Sequence, residues 1–138
     1  MVNKTEFFKS INASFPLLNT GRPDERCWDV FTEKGNVLML SAGDHIKNGL
    51  CEVVWLACNN FREKLRFDHV QEARIPFGKT RDHFVLIRAN NWDDNNAVPF
   101  EVTEKSVVYR IIPSTYKAVG DKGYVALDLA NPISILEV

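Results

Sequence analysis

This sequence predicts a mainly β fold, an antiparallel β-sandwich or barrel with one N-terminal α-helix, and three observations carry that reading. From His83 to the end, apolar segments of strand length recur every ~8–12 residues with turn residues between them, the rhythm of sandwiches and barrels. At the start of the chain a capping signal joins helical spacing of apolar residues. The 138 residues, 45% of them hydrophobic, suit a single domain over residues 1–138 that buries its own core without metal or disulfide staples.

The helix begins after Asn3, which with Glu6 three residues on makes a capping-box pair. Phe7, Ile11 and Phe15 then recur on one face, until Pro16 stops the helix near Ser14. Residues 19–24 are a loop, and residues 27–32 and 36–40 are strands joined through Gly35. Residues 41–49 are polar with two glycines and read as another loop. Leu50 to Cys58 is apolar on both alternating faces and predicts a strand covered on both sides. Residues 59–66 are ambiguous, because Phe61 and Leu65 lie one helical turn apart in a short run. Val70 to Ile75 reads as an edge strand closed by Pro76. Strands follow at residues 83–89, 97–103, 106–112, 116–119, 124–129 and 133–138. No alternation of strand and helix is visible, so a nucleotide-type parallel sheet is not expected. The expected core is Phe7, Ile11, Val37, Leu38, Val54, Trp55, Leu56, Val85, Ile87, Phe100, Val102, Val108, Ile111 and Leu127.

Composition removes several classes of function. Seventeen basic and eighteen acidic residues leave a net charge of −1, too balanced for direct nucleic-acid binding or a membrane surface. The longest apolar run, residues 53–58, falls far short of the ~20 residues that span a bilayer. Cys27, Cys51 and Cys58 cannot all pair and form no Cys-x-x-Cys, so they read as small buried residues. With no signal-type apolar core near the start, a reducing cytoplasm is the expected home. The scattered glycines form no phosphate loop, and no cofactor is expected.

Two constellations remain. His69, Glu72 and His83, with His45 as a further donor, are the residues a metal would need. On a strand His69 and Glu72 point to opposite faces, and they converge only if the segment is helical. A small metal-dependent or ligand-binding β-barrel enzyme using these three is therefore the alternative reading; the leading one has no metal site and no catalytic residues. The second constellation is the stretch from Asn90 to Glu104, with four acids and no base. Trp92 stands in it beside Asp93 and Asp94, either as a plug folded back on the core or as an exposed recognition anchor.

Three segments of the second half, Phe84-Val-Leu-Ile-Arg-Ala-Asn90, Val98-Pro-Phe-Glu-Val-Thr-Glu104 and Lys122-Gly-Tyr-Val-Ala-Leu127, resemble the ComJ competence-protein family. The resemblance covers about residues 84–127 and implies a small bacterial β-protein associated with inhibiting a partner nuclease. Together these readings point to a protein-binding module, an inhibitor or immunity protein, whose partner is a basic nuclease or toxin. Trp92, Asp93, Asp94, Glu101 and Glu104 are its expected contact residues, carboxylates standing in for the phosphates such a partner binds.

Overall fold

A computed structural model describes residues 2–57, 60–72, 81–89 and 100–138. Among them the chain runs β1 (Val2–Asn3), α1 (Lys4–Ser10), β2 (Asp29–Phe31), β3 (Val37–Ser41), β4 (Ile46–Lys47), β5 (Leu50–Trp55), α2 (Phe61–Glu72), β6 (His83–Ile87), β7 (Glu101–Val102), β8 (Val107–Arg110), β9 (Lys117–Val119), β10 (Lys122–Ala126) and β11 (Ile133–Ser134). Short 3-10 turns occupy Gly43–His45 and Ile135–Glu137. The fold is mainly β. One sheet has five strands in the order β11-β8-β6-β3-β2, another has four in the order β4-β5-β10-β9, and β1 pairs with β7. Among the described residues neither larger sheet closes on itself, so the expected barrel alternative is not formed.

The Asn3 side chain accepts the Glu6 N–H at 2.8 Å and starts α1 where the sequence places it. The helix ends earlier than Ser14, because Asn12 takes a left-handed φ of 59°. Asn12 N–H then donates to Lys9 C=O at 3.2 Å and Ala13 N–H to Phe8 C=O at 2.9 Å, which is a Schellman stop.

Strand alternation sorts the core into two layers. Leu38, Leu40, Phe84, Leu86 and Val108 turn to one face of the five-stranded sheet, where Phe7 and Phe8 of α1 and Ile135 cover them. Val37, Met39 and Val85 turn to the other, against Cys51, Val53 and Val125 of the four-stranded sheet and Val70 of α2. Covered on both faces, β3 is buried along its whole length and carries no polar alternation from Val37 to Leu40.

Four expectations are corrected. Val70 to Glu72 belong to α2 and not to an edge strand, and the helix resolves the ambiguity of residues 60–66 as well. β3 and β6 pair in parallel, which α2 and the small sheet's strands make possible by forming the long crossover that parallel strands need. The region 41–49 holds β4 as well as a turn. Finally, Trp55 and Leu56 are 49% and 37% exposed: β5 ends at Trp55, and the chain turns away from the layer that would bury them. The other expected core residues are buried or pack half-buried against the core.

Candidate functional site

A carboxylate buried in a sheet needs a cation, and Asp29 of β2, 2% exposed, has two neighbours on α2. Arg66 and His69 are three apart and therefore share the inner face of the helix. Arg66 Nε donates to Asp29 Oδ1, and His69 Nδ1 lies 2.6 Å from Asp29 Oδ2. The rest of the guanidinium reaches three backbone carbonyls, Val53 through Nη1 at 3.0 Å and Trp28 and Leu40 through Nη2 at 3.1 and 3.3 Å. The Val53 carbonyl is open to Arg66 because β5 bulges there: Gly123 faces Val54 and Tyr124 faces Glu52, leaving Val53 without a partner across the ladder. Gly123 sits at the same irregularity, where a Cβ would come within 2.5 Å of Val54 Cγ1. One side chain thus ties the helix to both large sheets.

Above this network opens a cleft of about 410 Å³. Ser41, the last residue of β3, and Arg88, the residue after β6, line it with Arg66, and Arg88 N–H donates to Ser41 C=O at 2.9 Å. Trp28 and Trp55 line it too, 42% and 49% exposed. Trp28 meets Phe100 edge-on at 5.8 Å, and Arg88 lies over the Phe100 ring at 5.1 Å. At the mouth Arg62 clamps Asp24 through Nε at 3.0 Å and Nη2 at 2.9 Å, and that hydrogen-bonded pair holds the Asp24 carboxyl below its ordinary range despite burial. Lys122 donates to Glu52 at 2.8 Å. Ser41 Oγ is 3.4 Å from His45 Nδ1 and 3.7 Å from Cys51 Sγ. Burial pushes the Cys51 thiol up to about 11, so it stays a protonated thiol and not a nucleophile.

Of the metal-type residues, the helix brings His69 and Glu72 to neighbouring turns, and His83 Nε2 comes within 3.8 Å of Glu72 Oε2. Other bonds occupy them. His69 is held by Asp29, and Arg81 takes both Glu72 oxygens at 2.7 and 3.0 Å. Burial raises the Glu72 pKa, but the Arg81 hydrogen bonds and charge outweigh it and keep the group ionised below its usual value. A guanidinium on both oxygens repels a divalent cation, and among the described residues no group of three His, Cys, Asp or Glu is placed to hold one.

His83 carries a pH prediction. It is 5% exposed, its Nε2 has no hydrogen-bond partner among the described residues, and burial lowers its pKa. The unfolded chain takes up a proton near the ordinary value of about 6.5, while the folded protein resists it. The stability this represents is complete above that pH and is lost as pH falls toward the lowered folded value, at up to about 1.4 kcal/mol per pH unit. Urea midpoints measured from neutral pH down to about 5 should therefore decline in the parent protein and decline less in His83→Gln.

The acidic contact residues fall as follows. Trp92, Asp93 and Asp94 lie outside the described residues. Glu101 is half-buried on β7 opposite Asn3, and Glu104 is exposed in the turn before β8. The Asp29–Arg66 network and the cleft escaped the sequence reading. Two signals pointed to them: an Asp inside an apolar strand, and Asn60 three residues before Glu63, a capping pair like that of Asn3 and Glu6. Asn60 Oδ1 does accept the Glu63 N–H at 2.9 Å and opens α2. Among the described residues no helix is long and apolar enough to cross a membrane. No protein-family model, curated protein or solved structure matches the chain.

Proposed function

We propose that this chain is a protein-binding module that acts by contact and not by catalysis, an inhibitor or immunity protein for a basic nuclease or toxin. The observation that carries the reading is an exposed aromatic surface: Trp55, Leu56, Phe61 and Phe67 are 37–55% exposed around the junction of β5 and α2. Large apolar side chains gathered in water mark an interaction site, and Trp is the residue most often found at binding hot spots. A depression of about 400 Å³ opens there, lined by Trp55, Leu56 and Phe67 with Glu63 and Asp68 against Lys64, an acidic balance suited to a basic partner. The acidic stretch containing Trp92, Asp93, Asp94, Glu101 and Glu104 adds carboxylates of the same sign, and the resemblance of residues 84–127 to the ComJ family agrees. In this reading the two large sheets are the layers of a sandwich, and the buried free thiols Cys27 and Cys51 suit a reducing cytoplasm.

The test is affinity capture from the native cell, followed by a nuclease or toxicity assay of the captured protein alone and in complex. A stoichiometric basic protein whose activity the chain suppresses is the expected result. Trp55→Ala should then weaken the complex by about thirtyfold or more, mainly through faster dissociation. Asp93→Asn with Asp94→Asn should slow association and flatten its salt dependence. Capture of no stoichiometric partner, or unchanged binding by both variants, overturns the proposal.

A further inference from the structure

We infer that the cleft between Trp28 and Trp55 is a small-molecule site, and that its ligand is an uncharged aromatic ring. Charge decides the class of ligand. Among the described residues the four Arg and Lys side chains of the lining are all engaged. Arg66 holds Asp29 and three backbone carbonyls, Arg62 grips Asp24 through Nε and Nη2, and Lys122 donates to Glu52. Arg88 lies over the Phe100 ring at 5.1 Å and is not free. On the acidic side Glu63 accepts the Trp55 backbone N–H at 3.2 Å. Those four cations are therefore matched by the four carboxylates of Asp24, Asp29, Glu52 and Glu63. An ion of either sign entering the cleft sheds its hydration and gains a partner only by breaking a pair already made. A neutral ring pays neither cost.

The walls suit a ring. The volume of about 410 Å³ falls within the range of ligand pockets, ~300–1,000 Å³. Both indoles are held before any ligand arrives: Trp28 packs edge-on to Phe100 at an interplanar angle of 82°, and Trp55 Nε1 donates to Asp121 Oδ2 at 3.4 Å. Aromatic walls fixed in this way stack a ring with little ordering cost, and Leu40, Ala42 and Val53 add apolar surface. The cleft adjoins the partner surface and shares Val54, Trp55 and Glu63 with the depression there. Trp28 lines only the cleft and Phe67 only the depression, so the two sites can be tested apart. The inference stands on the cleft alone and does not rest on the partner reading.

Proton–nitrogen correlation NMR on the intact protein tests it with probes of nearly one shape: 2-naphthylmethanol, which is uncharged, 2-naphthoate, an anion, and 2-naphthylmethylamine, a cation. Trp28→Phe and Trp55→Phe assign the two indole N–H signals. The alcohol should shift both signals saturably, and each charged probe should bind about tenfold more weakly. Trp28→Ala should weaken the alcohol by about tenfold, while Phe67→Ala should leave its affinity unchanged, with thermal melting as the check that both variants fold. The inference is overturned if the alcohol does not saturate, or if either charged probe binds as tightly. It is overturned as well if Phe67→Ala weakens the alcohol and folded Trp28→Ala does not, which puts the ring on the partner surface. Failure of the ring titration leaves affinity capture of a partner standing, and capture of no partner leaves the ring titration standing.

Discussion

Arg66→Ala should destabilise the protein by about 3–5 kcal/mol, measured as a loss of urea midpoint at unchanged m-value. The substitution removes little apolar packing. Its effect comes from what it strands: an Asp29 carboxylate 2% exposed, and the carbonyls of Trp28, Leu40 and Val53 that the guanidinium satisfies. A buried charge or acceptor deprived of its partner loses its solvation without compensation. Arg66→Lys should recover only part of the loss, since one ammonium cannot span four acceptors that a planar fork reaches together. Equal stability of the Ala and parent proteins would mean that Asp29 draws its compensation from His69 alone.

Phe8→Ala should cost about 3–5 kcal/mol, the largest expected effect of any single truncation in α1. Phe8 is fully buried and meets Phe7 and Phe15 edge-on, both at 6.1 Å, so its removal loses transfer energy, ring contacts and leaves a cavity between helix and sheet. Ile11→Ala, at a residue only half-buried just past the helix, should cost clearly less when both are melted under the same conditions. A reversed order would show that the Phe7–Ile11 stripe, and not Phe8, anchors α1.

The Phe8 and Ile11 comparison also separates local from tertiary information. Asn3 and Glu6 announce the start of α1, because a cap is satisfied within one turn and needs nothing from the rest of the chain. The helix ends about a turn before the stop that Pro16 predicts, because Asn12 takes the left-handed φ that closes it. Phe8 is buried although it lies off the Phe7–Ile11–Phe15 row that predicts the core face, because the sheet covers a wider face of α1 than that row.

What the sequence by itself determined is most of the strands, β1 and β4 aside, and which of their residues are apolar. Alternation and turn residues are local properties, and β3, β5, β6, β8 and β10 fall within the stretches that predict strands, apart from Ser41 of β3 and the first two residues of β10. What only the tertiary structure decided is how those strands pair and where charge can be buried. The parallel pairing of β3 with β6 depends on α2, whose inner face carries Arg66 and His69 beside Val70 and so lacks the apolar stripe that marks an amphipathic helix. Those two polar residues are buried because Asp29 waits 37 and 40 positions earlier, a complement invisible to any local window. The exposure of Trp55 and the cleft beside it have the same origin: composition assigns an indole to the core, and only the end of β5, reached in three dimensions, leaves it in water.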